Sequence, residues 1–250
     1  MTLSEVHIVL VHSPLVGTTT WTSVAAHLRK LGMIVHVPAL RVGPDSPSYW
    51  KEHVQSVAEA LHSVSPQSPV LLVGHGGAGS LLPAVSEALP HQVVGYIFVD
   101  AILPQDRCSR LERFSTVEET EAIRAAAVDG LMPVWNEEEL SEFISDPKIR
   151  RQFADELAPT PLAVYEEKIP VFSGWPEAPC AYLHFALSDP YAPFLQEADA
   201  CGWLTATLPG RHFHMLEDPV AVANAIIKLN KRFLMGTYTW EGKTSYAYSR

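Results

Sequence analysis

The stretch "PVLLVGHGGAGSLLPAVSEAL", residues 69–89, constrains the fold more than any other. A run of valine and leucine stops at four glycines within six residues, and the chain resumes with apolar side chains spaced three and four apart. The run reads as a buried strand, the glycines permit a turn too tight for side chains, and the continuation reads as a helix. The turn is a backbone device with Gly76 at its tip.

The same alternation extends along the chain. Short β-branched runs at 7–13, 34–40, 70–76, 93–101, 180–187 and 203–209 are the expected strands. Helical spacing fills 20–31, 50–63, 78–89, 192–200 and 218–232, with Pro219 where a first helical turn tolerates proline. This pattern predicts an α/β fold of about six mainly parallel strands with helices on both faces. Between Asp100 and Pro179 the acidic helical patterns are too long for a loop, so residues 102–178 are expected as an inserted helical lid. Leaving the carboxyl end of one strand, it would lie over the sheet edge where α/β proteins bind ligands. The core would then comprise 1–101 and 179–235, with 236–250 as a tail.

Composition narrows the function classes. A formal net charge of −10 over 250 residues disfavours a nucleic-acid partner, which needs basic residues to displace counterions. No window of eighteen apolar residues suggests a membrane span, and "MTLSEVHIVLVHSP" lacks the basic start of a signal peptide, so a cytoplasmic protein is expected. Cys108, Cys180 and Cys201 lack metal-ligand spacing and read as reduced packing residues. The histidines are dispersed, which predicts no metal site. "GHGGAG" is not a phosphate loop either, having neither the Lys-Ser/Thr ending nor the G-x-G-x-x-G spacing, and no cofactor is expected.

With these residues in view, the chain resembles the α/β-hydrolases along nearly its whole length. "VHSPLVGTTTWTSVAAHL" is similar to the family's oxyanion loop, with His12 kept and Ser13 where glycine is usual. "GHGGAG" resembles the G-H-S-x-G-G elbow, with Gly76 in place of the nucleophilic serine. "LPGRHFHMLEDPVAVANAI" resembles the loop and helix that carry the catalytic histidine, which makes His212 its counterpart. His214, two residues on, competes for that place. "ALSDPYAPF" puts Asp189 where the triad acid is expected, with Asp100, after "GYIFV", as the alternative.

The resemblance implies an oxyanion and substrate pocket formed by His12, Ser13, Gly76 and Gly77, with His212 and Asp189 as a candidate base pair. A glycine cannot form an acyl-enzyme, so ordinary serine hydrolysis is disfavoured. Ser13, Ser80 and Cys108 are the displaced nucleophiles to weigh. Among serine-less relatives the chain resembles the peptide epimerases of bottromycin-type biosynthesis. That resemblance implies an isomerase inverting an aspartate beside a thiazoline in a modified macrocyclic peptide. The base would be His212 or the substrate's own carboxylate. A hydrolase or lyase acting on a small ester or lactone, and a non-catalytic binder of a small hydrophobic molecule, stay open.

Overall fold

A computed structural model describes residues 2–43 and 46–235. The expected tail at 236–250 lies outside the described residues. Six strands form one parallel sheet: β1 (His7–Val11), β2 (Ile34–His36), β3 (Val70–Gly76), β4 (Val93–Ala101), β7 (Cys180–Phe185) and β8 (Leu204–Leu208). Their order is β2-β1-β3-β4-β7-β8. The chain therefore reverses direction along the sheet after β2, and the β1/β3 crevice is the switch point at which such sheets bind ligands.

β3 and β4 keep their expected bounds, and the other strands are shorter. The 34–40 run pairs only through His36, because β2 is an edge strand with one neighbour.

Alternating side chains fill two cores, one on each face of the sheet. Ile8, Leu10, Leu71 and Val73 meet α1 (Thr19–Lys30) and α11 (Pro219–Leu234), through Trp21, Val24, Leu28, Val222, Ile226 and Leu229. Val9, Val11, Val70 and Leu72 face α2 (Tyr49–Ala60), α3 (Leu82–Ala88) and α9 (Ala192–Ala200), through Val54, Val57, Leu82, Val85 and Phe194. Asp218 caps α11 by accepting from the Ala221 N–H at 2.9 Å, and Pro219 takes its first turn.

Residues between β4 and β7 form short helices, α4 (Arg110–Phe114), α5 (Val117–Ala126), α6 (Glu137–Phe143), α7 (Pro147–Ala154) and α8 (Ala163–Glu166). They also hold a two-residue antiparallel pair, β5 (Leu131–Met132) with β6 (Thr160–Pro161). Side chains of Asn136 and Asp146 and capping boxes at Ser109 and Thr116 start α4, α5, α6 and α7, which explains the acidic residues near their first turns. Leu140, Ile144 and Phe153 join the main core, whereas Leu111, Val164 and Tyr165 form a small core of their own.

The cysteines divide. Cys180 is a core residue, Cys108 is half-buried, and Cys201 is exposed at the end of α9, contrary to the expectation of packing. A helix terminus places that side chain outside both cores. Among the described residues no helix is long and apolar enough to cross a membrane.

Candidate active site

β3 delivers its glycines to the switch point. Gly76 has φ +56°, a left-handed conformation that costs an ordinary residue about 1–2 kcal/mol and glycine almost nothing. Its carbonyl accepts from the Ile102 N–H at 3.0 Å, which fastens the tip to the chain leaving β4. Three residues on, a side chain at Gly79 would begin 2.2 Å from the Ile102 carbonyl oxygen, so the helix can approach β4 only with glycine there. The expected helix at 78–89 opens as a tighter turn, Gly79–Leu81, before α3.

β4 contributes the acid through an irregularity. His75 pairs with Val99 and Gly76 pairs with Ala101, so Asp100 is an extra residue in the ladder. Its φ is +44°. A bulge of this kind re-aims a side chain, and here it turns the carboxylate toward two histidines. Asp100 Oδ2 accepts from His212 Nδ1 at 2.8 Å. Its Oδ1 accepts from His184 Nδ1 at 2.9 Å and from the Phe185 N–H at 3.2 Å.

Burial pushes the Asp100 carboxyl upward, but hydrogen bonds from His184 and His212, with the charge His212 can carry, outweigh it and hold the group below its ordinary value. Asp100 is therefore an ionised acceptor. Because it can only accept, His212 donates Nδ1–H and leaves Nε2 as the basic nitrogen.

His212 lies in the turn between β8 and the short helix α10 (His214–Glu217). The Tyr191 ring stacks on it at 4.3 Å with an interplanar angle of 6°. From the other elements, His75 packs at 4.3 Å and donates from Nε2 to the His212 carbonyl at 3.0 Å. Burial holds His75 well below its ordinary pKa, so it is a neutral packing group. A side chain at Gly76 would begin 3.3 Å from His212 Nε2 and 3.3 Å from Ser13 Cβ. The basic nitrogen thus faces the place where an elbow side chain would stand.

Not every candidate residue meets His212. Asp189 is exposed in the turn Asp189–Tyr191 and does not meet His212; Asp100 takes that place because the bulge projects it into the interior. His12 turns both ring nitrogens to the backbone. Its Nδ1 donates to the Ser13 carbonyl at 2.8 Å, its Nε2 accepts from the Leu40 N–H at 3.2 Å, and burial lowers its pKa. It is a neutral brace for the segment after β1. His214 is buried against Phe185 beyond the dyad, and Ser80 is occupied with the Gly77 carbonyl at 2.9 Å.

Ser13 lies beside the elbow, with its hydroxyl 3.1 Å from that of Tyr165. Gly77 is covered by Tyr165 and Arg110, and its carbonyl accepts from Arg110 Nε at 2.9 Å. His184, Tyr191, Arg110, Tyr165 and the buried His53 were not singled out from the sequence. His184 alone carried a signal, as a polar ring inside an apolar strand. Arg110 in "SRLERF" has the pattern of a solvated helix face.

The α/β hydrolase family model matches residues 8–225. Polyneuridine aldehyde esterase from Rauvolfia serpentina is 25% identical over 119 residues, a match that spans 45% of this chain and 45% of that protein. An extracellular α/β-hydrolase from a Paenibacillus species superposes with a TM-score of 0.76 at 20% identity, covering 90% of this chain and 98% of that one. Tomato methylketone synthase I, solved with 2-tridecanone, gives 0.73 at 13% identity over 91% and 98%. A pyrethroid hydrolase from Sphingobium faniae JZ-2 gives 0.66 at 20% identity over 90% and 98%. The family match starts in β1 and ends inside α11, so it takes in the whole sheet, the glycine elbow and the turn bearing His212, and the chain belongs to the alpha/beta hydrolase family.

Proposed function

We propose that this protein is a non-hydrolytic member of its family that moves a proton at a carbon beside a carbonyl or imine. The observation that carries the reading is the His212–Asp100 pair, joined at 2.8 Å, with Nε2 facing an elbow that offers no hydroxyl. The pair is kept while the acyl-accepting group is absent. A base without a nucleophile suits proton abstraction.

In the proposed step the C–H bond of the substrate breaks, its proton goes to His212 Nε2, and the electron pair delocalises onto the neighbouring oxygen or nitrogen. Asp100 stabilises the imidazolium so formed. The Gly77 N–H, following the elbow tip, takes the developing negative charge. The proton then returns to the carbon, on either face. Segment 102–178 acts as the cap that shields the site, since Tyr165 and Arg110 from it cover Gly77.

The same chemistry fits an aspartate beside a thiazoline in a modified macrocyclic peptide, where the C=N bond receives the electron pair. It fits 3-oxo compounds equally. A structural neighbour, the tomato methylketone synthase, was solved with β-ketoheptanoate, an acid of that kind.

The test is solvent deuterium exchange at the α-carbon of thiazoline peptides and of 3-oxo acids and their thioesters, followed by mass spectrometry. Exchange is expected, falling about 100-fold or more in His212→Ala. Exchange that survives His212→Ala unchanged, or is absent across the panel, would sink the reading.

A second reading, hydrolysis through a displaced nucleophile, is favoured by Ser13, whose Cβ lies 3.3 Å from the vacant elbow position. Polyneuridine aldehyde esterase, a relative in sequence, is an esterase. Turnover of esters or lactones that disappears in Ser13→Ala would select it.

A further inference from the structure

Arg110 brings a positive charge into the interior with no anion beside it. It is fully buried at the start of α4. Nε donates to the Gly77 carbonyl at 2.9 Å and Nη1 to the Val164 carbonyl at 2.6 Å, while the Tyr165 ring lies 5.5 Å from Cζ. Nη2 is enclosed and has no hydrogen-bond partner. Among the described residues, no carboxylate forms an ion pair with it.

Glu167 attracts the guanidinium from a distance, but its oxygens are committed to Ser48 Oγ at 2.7 Å and the Trp50 N–H at 2.8 Å. Burial lowers the Arg110 pKa to about 10, which leaves it charged at neutral pH. A second orphan stands nearby: the buried Nδ1 of His53 lacks a partner, and after burial itself the Arg110 charge is the next cause of that ring's lowered pKa.

An enclosed, unpaired cation is costly, because its lost hydration is not replaced. The cost falls if a ligand supplies the anion. Nη2 and the remaining Nη1 hydrogen form one edge of the guanidinium, which matches the two oxygens of a carboxylate. Nε of the same group holds Gly77, the residue next to the elbow tip that faces His212.

We propose that Arg110, beside the Tyr165 ring, binds the carboxylate of the substrate, so that this site takes free carboxylic acids in preference to their neutral esters or amides. The identity of the reacting carbon, within a few bonds of that carboxylate, rests on the proton-transfer reading; the binding itself does not. Free acids and the aspartate side chain of a peptide share this chemistry. Because Nη2 is enclosed, admission of the acid also moves the segment bearing α4 and α8.

The experiment is calorimetric titration of the whole protein with straight-chain carboxylates from acetate to octanoate, each paired with its amide, and with an N-acylated aspartate dipeptide paired with its asparagine form. One acid is expected to bind on the order of tenfold or more tighter than its amide. Preference for a chain acid or for the dipeptide tells the two sources apart. Arg110→Gln and Arg110→Lys should erase the discrimination, while His212→Ala keeps it. Amide hydrogen exchange in residues 110–114 and 163–166 should slow when the acid binds.

Equal binding of acid and amide, no binding by any acid, or discrimination surviving in a folded Arg110→Gln protein would overturn the proposal and leave Arg110 a tether between elbow and cap. If Arg110→Gln does not fold, the acid and amide comparison on the unaltered protein still decides. Tight acid binding without deuterium exchange would defeat the proton-transfer reading and leave this one standing.

Discussion

At the scale of single residues, Gly76 and Asp100 share an unusual conformation and divide the site between them. Gly76 has the left-handed backbone of a nucleophile elbow, and the start of a side chain there would sit 3.3 Å from His212 Nε2. Gly76→Ser is therefore expected to destabilise the protein by about 1–2 kcal/mol, through the positive φ. It should also produce burst release of p-nitrophenol from p-nitrophenyl acetate approaching one equivalent per site. A folded Gly76→Ser protein without a burst would show that His212 and Asp100 do not form a working triad. Asp100→Asn removes the ionised partner of His212 and should depress deuterium exchange by about 100-fold or more. Asp189→Asn, altering an exposed side chain, should leave exchange near the wild-type rate; the opposite ranking of the two variants would restore Asp189 as the acid.

At the scale of elements, the end of β4 must be held still for its bulge to aim Asp100. Tyr182 of β7 does this: its hydroxyl accepts from the Ala101 N–H and donates to the Ala101 carbonyl, both at 3.0 Å. Tyr182→Phe should cost about 1–3 kcal/mol, because buried backbone groups lose their partner. It should lower exchange activity more than it raises KM, since the carboxylate that orients His212 is displaced. Equal stability in urea would remove Tyr182 from this role. The junction between elbow and α3 gives a second check. Gly79→Ala would drive a methyl group onto the Ile102 carbonyl oxygen, and a loss of about 1–3 kcal/mol is expected from thermal unfolding.

At the scale of the whole molecule, buried histidines set the response to acid. Burial holds His12, His53 and His75 below the ordinary histidine value, with His53 at about 3. The unfolded chain therefore takes up protons from about pH 6.5 downward, while the folded chain refuses them, and stability falls as pH falls through that window. Each such group contributes at most about 1.4 kcal/mol per pH unit. Asp100, held below its ordinary value, adds a further loss once pH falls below about 4, as the unfolded carboxylate protonates first. Urea midpoints are expected to decline between pH 6.5 and 5, with a shallower slope in His53→Gln. An unchanged slope in that variant would show that His53 is protonated in the folded state.

Order of strands and helices, the glycine elbow and the place of His212 were legible in the residues alone. They depend on local periodicity and on turns only glycine can make, which act over a few neighbours in the chain. The acid partner was not legible, because Asp100 and Asp189 each follow an apolar strand. The choice between them is made by one extra residue in the β3/β4 ladder, a fact of pairing between strands some twenty residues apart. Arg110 was hidden for a related reason: an arginine on a short amphipathic helix has the pattern of a solvated surface. Only the packing of that helix against the elbow shows a buried charge with an unpaired nitrogen. Local chemistry determined the scaffold and the place of His212, whereas long-range register and burial decided which carboxylate it meets and left the guanidinium without an anion.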